Sequence, residues 1–220
     1  VQILVIYRAA GKTHHSGQIS VDQTNQINLL LMMLTFWGGL SAYLGVSGYY
    51  QSDTFLSSLP GFWITQIAVL IVMIPWIASK SLRQGIDKII DHTPLHLIMS
   101  FEGLRILALG GIYKGYIGEF SAFFAKFVGV PDFLYGVATL LAAIIINLIG
   151  FIIIVPFGML LINVGLPGPM FMIEESPGLE TIFEFPMVLA PTLVVPLFVM
   201  VHLLVALRLM KGFHTRPQEA

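Results

Sequence analysis

Apolar residues run along this chain in blocks too long and too continuous for the one-sided stripe of a soluble helix. Ile27 to about Tyr49, Phe62 to about Ala78 and Pro186 to about Leu209 are such blocks, and a bilayer-spanning helix needs roughly 20 apolar residues. The pattern predicts three spanning helices there, the second kinked at Pro75 because proline removes one helical hydrogen bond. Asp132 to Val164 is also apolar. It exceeds one crossing and is short for two. One long, kinked or tilted helix is the first expectation, and a tight hairpin of two short arms the second. Asn147, Pro156 and Gly158 interrupt it.

Two further stretches behave differently. Leu95 to about Tyr116 is apolar enough to span, yet Arg105 then lies near mid-membrane with Glu102 three residues away on the same helix face. In Gly118 to Val128, Phe120, Phe123, Phe124 and Phe127 recur at helical spacing, with Glu119, Ser121 and Lys126 opposite. That predicts an amphipathic helix lying along the interface. Residues 1–26 are polar after Ile6, and their apolar start reads as a short strand or interfacial segment. His14 and His15, next to Lys12, read as solvated.

Charge orients the blocks. Ser79 to Asp91 carries Lys80, Arg83 and Lys88, whereas Gly165 to Phe185 carries Glu174, Glu175, Glu180 and Glu184 and no basic residue. The positive-inside rule makes the first cytoplasmic and the second external. Both termini are then expected inside. Two counts of crossings remain open. If Leu95–Tyr116 is re-entrant or interfacial, four helices span and all 11 Lys and Arg lie at or near the inner side. If it spans and Asp132–Val164 turns back, six segments cross. The fold class expected is all-α: a polytopic transmembrane helix bundle of four to six membrane segments plus one interfacial amphipathic helix. Residues 1–26 form a cytoplasmic segment, 27–211 the transmembrane domain and 212–220 a tail.

Composition sharpens this. The 220 residues are 56% hydrophobic and 10% charged, against roughly 25% charged in soluble domains. A net charge of −1 offers no basic face for nucleic acid. The absence of cysteine removes disulfides, thiolate nucleophiles and Cys-based metal sites. No Gly-rich phosphate loop, hydrolase carboxylate pair or Ser–His–acid order is present, which argues against an enzyme, and no catalytic residue is assigned.

The chemistry worth weighing lies within the apolar blocks. Glu102, Arg105 and Asp132 can form a polar cluster lining a substrate or ion path, with Asn147 as a further candidate. The plainer alternative is an intrahelical ion pair plus a helix N-cap at Asp132, which follows Pro131. Asn147 also serves as an interhelical hydrogen bond. His96 and His202 fall at a common depth, since His202 precedes Arg208 by about 9 Å of helix rise. Two imidazoles at one depth can ligate a haem or another tetrapyrrole. His92 and His96, one turn apart, are a weaker metal pair. The plainer alternative for each histidine is a hydrogen bond to a neighbouring helix.

From Arg105 onward the chain resembles a family of uncharacterised bacterial integral membrane proteins. The residues that carry the likeness are Arg105, Gly118, Phe124-Ala125, Gly129, Asp132 and Gly136, then Asn147 and Gly150, and finally Phe185-Pro186, Pro191, Val195-Pro196 and His202-Leu203. That family has a basic cytoplasmic linker before its Asn-x-x-Gly helix. Here Ala142, Ala143 and three isoleucines run straight into Asn147. The resemblance implies a membrane fold and no activity. The first expectation for function is therefore a small non-enzymatic membrane protein, an accessory or structural subunit, with membrane lipids and other membrane subunits or its own copies as partners. The alternatives are a transporter or channel component using the Glu/Arg/Asp cluster, and a tetrapyrrole-binding protein using His96 and His202.

Overall fold

The computed structural model describes residues 1–141 and 153–214, all helical or irregular with no strand among them. Three helices are long and apolar enough to cross a membrane: Val21–Val46, Pro60–Ala78 and Ala190–Arg208. Helix α1 is Gln2–His15 and α2 is Val21–Val46. The second begins six residues before the apolar block does, because Ser20 and Gln23 form a capping box. Its polar first turns pack rather than hydrate: a Cβ on Gly85 would meet Ile27 at 3.1 Å and Gln23 at 3.2 Å.

The apolar start of the chain is helical and not a strand. α1 buries Gln2, Ala10 and Thr13, and Gln2 Nε2 donates to the carbonyl of Val194 near the start of the last apolar helix. The basic stretch expected as a loop is also a helix. α3 (Ile64–Ala78) ends at Ser79, whose hydroxyl accepts from the Leu82 amide and starts α4 (Lys80–His92). That hydroxyl also donates to Gln26 Oε1 at 2.6 Å. Leu82, Gly85 and Ile89 recur at helical spacing and are the buried face of α4.

The second half folds back on itself. α5 (Leu95–Glu102), a 3₁₀ stretch (Gly103–Ala108) and α6 (Leu109–Tyr116) form one rising arm. Ala122–Phe124, a π-helical stretch (Ala125–Gly129) and α7 (Val130–Leu141) form the returning arm. Glycines close the seam: a Cβ on Gly129 would lie 3.1 Å from Ile112, and one on Gly136 would lie 2.8 Å from the amide nitrogen of Ile106. Small residues let helix backbones approach in this way.

The interfacial-helix expectation for 118–128 is corrected here. Phe120 and Phe124 are in the core and Ser121 is buried as an N-cap, so this face turns inward. Phe123 and Phe127 pair separately, ring centroids 4.7 Å apart. The cause is the partner: Glu175, from the acidic loop, accepts from the Ser121 hydroxyl and, at 3.1 Å, from the Phe123 amide. The loop thereby holds the Phe120–Phe124 face against the core, while Glu119 and Lys126 stay exposed.

α8 is Val155–Gly165, and α9 is Val195–His214, preceded by a π-helical stretch, Ala190–Val194. Contacts set the order of levels. Ile98 packs with Val205, Phe101 stacks on Phe198 at 5.7 Å, and Gly111 faces Met187. The arm 95–116 therefore runs antiparallel to the last helix along most of its length. Gly165 abuts Leu179, and Asn163 abuts Gly61 at the start of Pro60–Ala78. α8 thus ends at the acidic end of the bundle, where Tyr50, Phe55 and Phe183 form an aromatic plug. At the basic end Arg208 caps α4, donating to the carbonyls of Ile90 (2.6 Å) and Thr93 (2.7 Å). The link through 142–152, on which the count of crossings in Asp132–Val164 turns, lies outside the described residues, as does Asn147.

A π-helical stretch shifts the hydrogen-bond ladder and leaves carbonyls needing other donors. In Ala190–Val194 they are supplied by Trp37 Nε1, 2.7 Å from Thr192 O, and by Gln2. Trp37→Phe should cost about 1–3 kcal/mol, because it strands a half-buried carbonyl. Trp63→Phe, which removes a surface bond to Ser58 O, should cost less. Thermal denaturation in mild detergent separates them, and equal losses would count against the assignment.

Candidate functional site

Three irregular or interrupted helices bring one ionic cluster together midway along the bundle. Glu102 closes α5, Arg105 lies in the 3₁₀ stretch, Asp132 and Tyr135 are one turn apart on α7, and Phe198 and His202 are one turn apart on α9. Each helix thus offers a pair at i,i+3 or i,i+4, the spacing that puts two side chains on one face.

Arg105 is the hub. Its Nε donates to Glu102 Oε2 at 3.0 Å, its Nη1 to Asp132 Oδ1, and its Nη2 to His202 Nε2 at 3.3 Å. The guanidinium also lies over the Phe198 ring, 4.4 Å from its centroid, and 5.3 Å from that of Tyr135, an orientation that favours a desolvated cation. Glu102 and His202 are fully buried and Arg105 is 4% exposed. The backbone of Gly136 presses directly on Arg105: a Cβ there would sit 3.0 Å from the arginine's carbonyl carbon. The glycine sets how close α7 comes, and that distance lets Asp132 reach the guanidinium.

The predicted residues fare unevenly. Glu102, Arg105 and Asp132 are brought together, as a cluster and not as the alternative pair plus cap. The backbone before Asp132 is already helical, and its carboxylate goes to Arg105. His202 joins this cluster instead of facing a cofactor: its Nε2 lies 3.1 Å from Glu102 Oε2 and its ring 5.6 Å from that of Tyr135. A tetrapyrrole iron on that nitrogen would have to displace both Glu102 and Arg105, so these residues do not fit the group. The side chain of His96 is outside the described residues. No group of three or more metal-ligating side chains occurs among the described residues. Tyr135 and Phe198 were not singled out from the sequence; their one-turn spacing from Asp132 and His202 is the signal that points to them.

The charges do not balance. With His202 neutral, the cluster holds one positive and two negative charges, a net negative charge in a desolvated setting that disfavours it. Two arrangements of hydrogen suit the same atoms. In one, the arginine fork feeds both Glu102 Oε2 and a bare His202 Nε2. In the other, an added proton lies between that oxygen and that nitrogen, and the cluster is neutral. The second oxygen of Glu102, Oε1, is buried with no hydrogen-bond partner among the described residues, which is unusual for a buried carboxylate.

Beside the cluster lies a cavity of about 460 Å³. Its walls are apolar side chains, among them Leu107, Phe120, Phe124, Ile162 and Met187, and its charged lining residues are Arg105 and Asp132. The 3₁₀ stretch and both π-helical stretches contribute to it.

Over residues 62–210 the chain matches the family model of a domain of unknown function (DUF8737). The match covers more than half of the chain, which belongs to that family. It contains the whole cluster and cavity. No curated protein and no solved structure matches the chain.

Proposed function

From this membership, which carries no assigned activity, we propose that the protein is a polytopic membrane protein acting as a transport component. Its Glu102–Arg105–Asp132–His202 cluster is the centre that takes up and releases a proton. The observation that carries the proposal is a buried ion cluster that, among the described residues, has one unbalanced charge and a carboxylate oxygen without a hydrogen-bond partner, beside an apolar cavity. A subunit that only packs against partners has no need of buried charges, which are expensive in an apolar bundle. Irregular backbone at membrane depth is tolerated where it lines a cavity, and discontinuous helices frame the sites of many transporters.

The same reading counts six crossings. Arms 95–116 and 122–141 are each taken as one crossing, and α8 ends at the acidic end. The basic end, with Lys80, Arg83 and Arg208, is cytoplasmic by the positive-inside rule, in a bacterial cell membrane. Liposomes loaded with a pH-sensitive dye, under an imposed proton gradient and clamped potential, test the function. Wild type should dissipate the gradient faster than protein-free liposomes, with Glu102→Gln and Arg105→Ala slowed at least severalfold. Equal rates in all four would sink the proposal.

A further inference from the structure

We infer that the cavity beside Asp132 binds a lipophilic monocation, which competes with the proton for the cluster's single unbalanced charge. This rests on the reading of the cluster as a proton centre and names the ligand class of the cavity beside it.

The cavity has the volume of a small-molecule site, which typically holds about 300–1,000 Å³. Its walls select against a hydrated ion and for an apolar body. Among the described residues, the charged ones that line it are Arg105 and Asp132. The guanidinium is already engaged by Glu102, Asp132 and His202 and covered by Phe198, so it offers little to an anion. Asp132 is the exposed member, with 19% of its side chain accessible against 0% for Glu102 and His202. The cluster therefore shows the cavity a carboxylate backed by a net negative charge. Phe120 and Phe124 stand in the same wall and suit a diffuse cation.

Among the described side chains, the titratable and charged groups that face the centre from the packed elements are Glu102 and Arg105 on the rising arm, Asp132 and Tyr135 on α7, and His202 on α9. Residues 142–152 bring no ionisable side chain. One charge is thus open to neutralisation, by a proton at Glu102–His202 or by a cation at Asp132. The two sites share that charge, so filling one weakens the other, and the coupling is reciprocal.

Tetraphenylphosphonium is the probe, with neutral triphenylphosphine oxide as its uncharged counterpart. Equilibrium dialysis of the full chain in nanodiscs, against empty nanodiscs, should show one saturable site for the cation. Its affinity should fall up to about tenfold per unit of pH lowered through the titration of the centre, the limit for one cation displacing one proton. Binding in weakly buffered solution should release close to one proton per cation. Asp132→Asn should weaken binding at least tenfold. Gly158→Leu fills the cavity from a position where a Cβ meets nothing within 4 Å; it should abolish binding, and it carries the test if Asp132→Asn does not fold. Equal affinity for the neutral counterpart, or pH-independent binding, would overturn the inference. So would wild-type proton flux without saturable cation binding, and that result would leave the proton reading standing. Loss of the flux itself would remove both.

Discussion

Arg105→Ala is expected to destabilise the protein by about 3–5 kcal/mol, the usual cost of removing one partner from a buried ion pair. The substitution leaves Glu102 and Asp132 buried in a common pocket with no cation between them. It also removes the cation packed on Phe198. The triple change Arg105→Met, Glu102→Gln and Asp132→Asn keeps much of the volume and discards the charges, so it should recover most of the stability while remaining inactive in the dye-liposome assay. Thermal or denaturant unfolding in mild detergent measures both. A loss below about 1 kcal/mol for Arg105→Ala would mean that the carboxylates are hydrated and the cluster is not desolvated.

Gly136→Val should be the next most damaging change, costing about 1–3 kcal/mol or more by overpacking. A Cβ at Gly136 meets the Ile106 amide nitrogen at 2.8 Å and the Arg105 carbonyl carbon at 3.0 Å. These are backbone atoms and cannot rotate away as a side chain would. The arms must separate, and Asp132, one turn earlier, moves off the guanidinium. Gly39→Ala is the control: a Cβ there meets nothing within 4 Å, and alanine in an exposed helix interior gains up to about 1 kcal/mol over glycine. Because Gly136 and Asp132 act on the same arginine, Gly136→Val and Arg105→Ala should be less than additive. Strict additivity would separate the seam from the cluster.

Local pairs were legible in the sequence and distant ones were not. Glu102 and Arg105 are three residues apart, and helical geometry alone puts them on one face. Asp132 was legible as a candidate, because a charge in an apolar run demands a partner, yet its alternative role as a cap was equally compatible with Pro131 before it. His202 was matched by depth to His96, whereas its neighbours are Glu102 and Arg105. Depth orders residues along a bundle and says nothing of which faces meet. The break of 95–116 into α-helical and 3₁₀ stretches was hidden for a related reason. No proline interrupts it, and the change of winding comes with the close approach of Gly136. Hydropathy marks only the parts that bury apolar surface, so it gives no sign that the polar stretch 21–26 and the basic stretch 80–92 are helical. Capping by Ser20 and Ser79 extended both helices past that mark.

The sequence by itself determined an all-helical chain with helices long and apolar enough to cross a membrane, a basic and an acidic end, and the Glu102–Arg105 pair. Each of these depends on residues within a few turns of one another, where composition and helical period suffice. Only the tertiary structure decided that Asp132 and His202, 27 and 97 residues from Arg105, complete one cluster beside an apolar cavity. The physical reason is that helix packing at glycines, and not local propensity, sets which distant faces come close enough to share a charge.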